Sequence, residues 1–202
     1  MDQHDQKREH IIDTALKRFA HFGLNKTTMN EIASDLNFSK ALLYYYFPDK
    51  VNLYAAVIGK IFNEIASSID SSLQTANTPE AALKVYIDAR QEFLKKYFSI
   101  LDFNKLSNLD KYQDLKKILE KANETEIIHL KEIIDIGIRA GRYEVKDSLY
   151  TAKLLFEALL GIRIFYINER KSQFGIDKDF LNMISDRQKE IVYIFLKGLS
   201  KA

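Results

Sequence analysis

The stretch MNEIASDLNFSKALLYYYFP, residues 29–48, decides the fold. Two helices joined by a tight turn need a small residue where they cross, and Ala33 supplies it. Four residues later the turn needs a residue that tolerates a left-handed backbone, and Asn37 is the best non-glycine choice. Leu43, six residues further on, is placed to pack the second helix down, and Ser39 is placed to cap its start. Together the four residues spell a helix-turn-helix.

The three consecutive tyrosines of the second helix cannot share one face. Successive residues step about 100° around a helix. With Leu43 at zero, Phe47 lies at about 40°, so the buried direction is near 20°. Tyr45 then points at about 200°, away from the core, and Tyr44 and Tyr46 flank the buried stripe at about 100° and 300°. Ala41 and Leu42 also fall on the outer side. A tyrosine offers a flat apolar ring and a hydroxyl, which suits sugar–phosphate contact and some base contact. Lys40 near the helix start and Lys50 just past its end are placed to meet phosphates.

Working outward, helical periodicity is nearly continuous, and seven glycines and two prolines leave little punctuation in 202 residues. A first helix over about 6–22 carries Ile11, Ile12, Ala15, Leu16 and Phe19 on one stripe and stops at Gly23. Thr28-x-x-Glu31 opens the next as a capping box. Asp49 caps a long fourth helix with Tyr54, Val57, Ile58, Ile61, Ile65, Ile69 and Leu73 at helical spacing. Thr78 and Pro79 open another after the break at TANTPE. Further helices are expected near 79–97, 110–140, 147–170 and 177–200, with a short one near 101–107. The expected fold is all-α. An N-terminal three-helix helix-turn-helix domain, residues 1–49, is joined by the long helix to a C-terminal helical ligand-binding and dimerisation domain, residues 50–202.

Composition bounds the function. The net charge is only +2, and residues 1–60 hold eight Lys/Arg against seven Asp/Glu, so a DNA-binding surface has to come from a few well-placed groups. The absence of cysteine excludes disulfides and thiolate metal sites. No apolar run reaches the roughly 18 residues of a membrane span. The polar N-terminus does not read as a secretory signal, and the expected location is cytoplasmic. Enzyme readings find no phosphate-cradling glycine loop and no nucleophile motif. His4 and His10 fall in or near a fraying terminus, His21 ends the first helix, and His129 shows no carboxylate–histidine metal spacing. No catalytic residue, metal or cofactor is expected.

The segment from about residue 8 to 54 resembles the DNA-binding domain of the TetR family of bacterial transcriptional regulators. The family's Thr-Thr-hydrophobic-x-x-Ile-Ala run is similar to Thr27-Thr28-Met29-Asn30-Glu31-Ile32-Ala33. Its recognition-helix pattern is similar to Phe38-Ser39-Lys40-Ala41-Leu42-Leu43-Tyr44-Tyr45-Tyr46-Phe47-Pro48-Asp49-Lys50. IIDIGIRAGRYEVKD (133–147) resembles the family's seventh helix and glycine turn, and AKLLFEALLGI (152–162) resembles its eighth, commonly dimerising, helix. The resemblance implies that Thr28 and Ser39 hydrogen-bond phosphates. It implies that Lys40, Tyr44, Tyr45 and Tyr46 contact backbone or bases, and that Lys50 contacts a phosphate. Ala41 and Leu42 stand where the family usually has glycine and a small polar residue, so readout there takes an apolar form, such as Leu42 against a thymine methyl.

In the C-terminal half, LLFEALLGI is apolar almost all round, so its helix should be buried on more than one side. With Phe180, Ile184, Ile191, Phe195 and Leu199 on the last helix, two copies would form a four-helix interface through helices near 147–170 and 177–200. Aromatics at Tyr86, Phe93, Tyr97, Phe98, Phe103 and Tyr112 suit either a small-molecule cavity or ordinary core. Tyr86, Arg90, Phe93, Glu157 and Arg163 are the candidate ligand-binding residues, the last two and Arg90 being polar residues on otherwise apolar helices. The expected function is a ligand-responsive regulator, a repressor that binds a palindromic operator in double-stranded DNA as a homodimer and is released by a small molecule. The rival is a helical ligand-binding or adaptor protein whose helix-turn-helix does not read DNA.

Overall fold

The computed structural model describes residues 2–97, 100, 113–170 and 178–201. These residues fold as helices α1 (Gln3–Lys26), α2 (Met29–Asp35), α3 (Lys40–Tyr46), α4 (Lys50–Leu73), α5 (Pro79–Tyr97), α6 (Gln113–Arg139), α7 (Ser148–Arg170) and α8 (Lys178–Gly198). The all-α expectation holds. The helix expected near 101–107 lies outside the described residues, as do Phe98, Phe103 and Tyr112. Local chemistry sets the helix starts. The Asn52 amide donates to Asp49 Oδ1 at 2.8 Å at the head of α4, and the Ala81 amide to Thr78 Oγ1 at 3.2 Å at the head of α5. Gly23, at φ 77° and ψ 161°, breaks the helical path as expected, but one more turn follows to Lys26.

The chain divides into two compact units, residues 1–64 with 96–122, and residues 65–95 with 123–202. In the first, α2 packs against both α1 and α3. Ile11, Ala15, Phe19, Ile32 and Leu43 are completely buried. The Phe19 and Tyr54 rings meet edge to face at 5.7 Å, and the Tyr54 hydroxyl donates to the Ile100 carbonyl at 2.8 Å. Lys60 of α4 ties down α1 through Glu9 at 2.9 Å and Asp13 at 2.6 Å.

The second unit has its own core, which includes Ile69 and Leu73 of α4, Tyr86 of α5, Ile133 and Ile134 of α6, Leu155 and Leu159 of α7, and Val192 and Leu196 of α8. Helices α7 and α8 pack directly on each other. Helix α6 ends in a Schellman motif. Gly141 takes φ +70°, its amide donates to the Ile138 carbonyl at 2.9 Å, and the Arg142 amide reaches the Gly137 carbonyl at 2.9 Å. The turn folds Tyr143 back over Gly137 so closely that a Cβ there would lie 2.0 Å from the ring.

Gly137→Ala is therefore expected to destabilise. Tyr143 is only 8% exposed, so its ring has nowhere to swing. Overpacking of this kind costs about 2 kcal/mol, which for a chain of this size lowers Tm by about 4–8 °C. Helix propensity alone gives the opposite sign, since alanine gains about 1 kcal/mol over glycine in a helix. A thermal melt decides between them, and a rise in Tm would refute the packing account.

Candidate nucleic-acid interface

Helix α2 opens on a complete capping box: the Thr28 amide donates to Glu31 Oε2 at 2.8 Å, and the Glu31 amide to Thr28 Oγ1 at 3.3 Å. The hydrogen bond from the Thr28 side chain, with help from its backbone amide and from Arg18, holds the Glu31 carboxyl below its ordinary range. At the other end Asn37 takes φ +54° and is the one non-glycine residue with positive φ among those described. Its amide reaches the Ser34 carbonyl at 3.1 Å, and the Phe38 amide reaches the Ala33 carbonyl at 2.9 Å. This is the helix stop that the spacing of Ala33 and Asn37 anticipated. Ser39 then caps α3, accepting from the Leu42 amide at 3.2 Å.

On α3, Leu43 is fully buried and Phe47 is 3% exposed, whereas Tyr45 is 72% and Tyr44 47% exposed. Thr28, Ser39, Lys40 and Ala41 are exposed, and Leu42 and Tyr46 are half-buried. Leu42 is thus less outward than helical phase alone suggested. Tyr46 is partly covered by a contact with no local sequence signal: the His4 ring lies 4.7 Å from it, tilted by 36°. His4 also meets Tyr45 edge-on at 6.1 Å, and Tyr45 meets Tyr46 at 5.3 Å. His4, expected in or near a fraying terminus, lies in the first turn of α1. Asp2 accepts from the Asp5 amide at 2.8 Å and starts α1 three residues earlier than its apolar stripe indicated. Asp2, His4 and Asp5 offer ligand atoms within 4.8 Å of one another, but all three are exposed and Asp2 is already used as the cap.

Charge in this unit is sorted by pairing. Arg18 bonds both Asp35 oxygens, one at 3.1 Å, and lies 3.4 Å from Glu31. The Arg18 hydrogen bond holds the Asp35 carboxyl below its ordinary value. Lys60 bonds both Glu9 and Asp13. Four of the seven carboxylates in residues 1–60 are thus paired with cations, while Lys7, Lys17, Lys26 and Lys40 stay exposed. Pairing gathers these four carboxylates onto two cations, and the exposed lysines take no part in it, so positive charge is distributed locally rather than in bulk.

Lys50 is half-buried, and its ammonium donates to the Leu24 and Thr27 carbonyls, both at 2.8 Å. It satisfies carbonyls at the C-terminal end of α1, where a cation is also favoured by the helix dipole. Lys50→Met should cost about 2 kcal/mol, since hydrogen bonds from a charged group contribute roughly 1.5–3 kcal/mol. Urea unfolding of the full chain tests this; an unchanged midpoint would mean that the clamp contributes nothing.

The candidate ligand residues separate into two sets. Tyr86, Arg90 and Arg163 gather with a residue the sequence did not single out, Glu126. The Tyr86 hydroxyl donates to Glu126 Oε1 at 2.9 Å, and Arg90 Nη1 lies 2.5 Å from the same oxygen. The Arg90 guanidinium stacks 5.4 Å over the Tyr86 ring. Glu126 is recognisable after the fact, since it lies four and seven residues before buried Leu130 and Ile133, on the inward stripe of α6. Phe93 is half-buried one turn beyond Arg90, whereas Glu157 is exposed and takes no part in the cluster. His129, 4% exposed, pairs with Asp70 at 2.8 Å and belongs to the structural frame. An open hollow of about 470 Å³ beside α8 is lined by Asp179, Asp186 and Glu190 among others. Its openness and acidity suit an apolar effector less well than the interior does.

A capped helix, a left-handed turn at asparagine and a second helix with an outward aromatic face define a helix-turn-helix regulator. Residues 11–57 match the family described as bacterial regulatory proteins, tetR family. A transcriptional regulator from Cytophaga hutchinsonii of solved structure is 32% identical, with a TM-score of 0.83 over 96% of this chain and 99% of that one. IcaR of Staphylococcus epidermidis, the negative transcriptional regulator of the biofilm operon icaADBC, is 24% identical over 198 residues, 94% of this chain and 99% of that protein. YuxN of Bacillus subtilis, an uncharacterised helix-turn-helix regulator, is 26% identical over 164 residues, 80% of this chain but only 54% of that protein. The chain belongs to the TetR family and is a transcriptional regulator rather than an enzyme.

Proposed function

We propose that this regulator is a cytoplasmic repressor that binds a palindromic operator as a homodimer and releases it when a small molecule occupies the second unit. The DNA-reading part is residues 1–49, and residues 50–202 carry the effector and dimer functions. The outward aromatic face of α3 carries the reading, because Tyr45 is 72% exposed and its edge contacts to His4 and Tyr46 leave most of the ring open. Tyr44, Tyr45, Ala41 and Leu42 face the major groove. Thr28, Ser39 and Lys40 hold the flanking phosphates, Tyr46 supports the ring cluster, and Lys50 fixes the approach of α4 to the end of α1. Repression is supported by the relative IcaR, described as a negative regulator. No described helix is long and apolar enough to cross a membrane.

Dimerisation is supported by apolar side chains left uncovered on α7 and α8. Tyr150, Ile164, Phe165, Tyr193 and Ile194 are 49–64% exposed. A monomer that leaves such a face in water is poorly served, and two copies related by a twofold axis would cover it with four helices. The effector would act by population shift, favouring a dimer whose recognition helices no longer match successive major grooves. Footprinting on operator fragments recovered from the source genome tests the proposal. Two symmetric protected half-sites about 34–36 Å apart are expected. A single unsymmetric site bound by a monomer would overturn it.

A further inference from the structure

The charge count at the Tyr86–Arg90–Glu126–Arg163 cluster does not close. Arg90 lies on the buried stripe of α5, four residues after Tyr86, which is 2% exposed. Arg163 lies on the buried stripe of α7, seven and four residues after Phe156 and Leu159 and four before Ile167, all buried. Glu126 occupies the corresponding stripe of α6. Arg90 and Arg163, both half-buried, therefore share one core, and among the described residues Glu126 is the one carboxylate that acts on both. Arg90 takes that carboxylate at 2.5 Å, and Tyr86 takes the same oxygen at 2.9 Å. Arg163 makes no hydrogen bond or ion pair among the described residues, and the charged groups it senses are Glu126 and Arg90, of opposite sign.

The electrostatics divide the two arginines. Burial disfavours the Arg90 cation, but Glu126 and Tyr86 outweigh it and hold its pKa above the ordinary value. Burial of Arg163 is not offset by Glu126, and its pKa is pushed down. A guanidinium on an inward stripe without a carboxylate of its own is costly, and cores retain such charges where they are paired or used. Its planar fork of donors matches a carboxylate. The core of the same unit also carries partly buried apolar side chains, among them Leu83, Ile87, Ile127 and Leu160.

We infer that the effector is an organic carboxylate with an apolar body, met by Arg163, with the Tyr86–Glu126–Arg90 network as the fixed polar wall beside it. The inference rests on the ligand-responsive reading above and assigns its chemical class. Neutralising the core's excess positive charge is what makes the bound state favourable, so a neutral molecule of the same shape binds less well.

The test uses the full chain and four probes: octanoate and benzoate, with octanamide and benzamide as neutral matches. Calorimetric titration of the unmodified protein should favour each carboxylate over its amide by roughly ten-fold or more, and Arg163→Gln should remove the preference. If Arg163→Gln does not fold, Arg163→Lys should keep the preference in weakened form. Without ligand, Arg163→Met should raise Tm by about 2–4 °C, because an uncompensated charge leaves the core; a structural arginine would lower it. Equal affinity for acid and amide, a preference that survives Arg163→Gln, or no carboxylate binding at millimolar concentration overturns the inference. Operator affinity measured in the same series separates the two proposals. A neutral probe that releases DNA overturns the carboxylate assignment and leaves the ligand-responsive regulator standing. Carboxylate binding through Arg163 without DNA release supports the site and removes its role as an effector switch.

Discussion

Tyr45→Ala should lower operator affinity by roughly 5- to 150-fold, the equivalent of about 1–3 kcal/mol for one aromatic contact with nucleic acid. It should leave Tm nearly unchanged, since surface substitutions generally stay within about 0.5 kcal/mol. The prediction follows from exposure: the ring is 72% exposed, and the aromatic rings it meets among the described residues, His4 and Tyr46, lie at its edges. Two residues earlier the opposite result is expected. Leu43 is fully buried, and Leu43→Ala should cost about 2–5 kcal/mol. That is enough to melt a three-helix unit, and DNA binding would be lost with the fold. Measuring Tm and operator affinity for both variants separates reading from packing. If Tyr45→Ala melts the protein while affinity per folded molecule survives, α3 is rotated from the orientation described.

The second large effect concerns the exposed apolar face. Phe165, 57% exposed, and Ile194, 64% exposed, lie on α7 and α8 and contribute little to the core of one chain. In the proposed twofold interface a glutamate at either position would be buried unpaired, once from each protomer. An unpaired buried charge costs 2–5 kcal/mol or more, so Phe165→Glu should weaken the dimer by roughly a hundred-fold or more. Sedimentation should show monomers with unchanged helicity, and operator binding should fall with the dimer. A dimer that persists in both Phe165→Glu and Ile194→Glu would move the interface elsewhere.

What could be read from the sequence, and what could not, follows one physical division. Features written within a turn or two of chain were legible: the Thr28–Glu31 box, the left-handed Asn37, the caps at Ser39, Asp49 and Thr78, and the inward Leu43 and Phe47. Each depends on neighbours three or four residues away, so spacing carries it. The features that were missed join residues far apart in sequence. Lys50 reaches the Thr27 carbonyl across 23 residues, Lys60 reaches Glu9 across 51, and Tyr86 reaches Glu126 across 40. His4 touches Tyr46 only because α1 runs back past α3. Glu126 hid in a polar stretch, KANETE, whose composition reads as a solvated face although its phase points inward. The residues proposed to touch DNA were named from local geometry together with the family resemblance, whereas the proposed effector residues needed three helices brought together.

The central claim is that a nearly neutral chain reads duplex DNA through α3. Its most direct test is the affinity of the intact protein for a recovered operator across a salt series. About two phosphates met by each protomer, Lys40 among the contacts, should give log Kobs against log salt a slope of about −4, since each neutralised phosphate adds about −0.9. A flat dependence, or no preference for operator over unrelated duplex, would contradict the account.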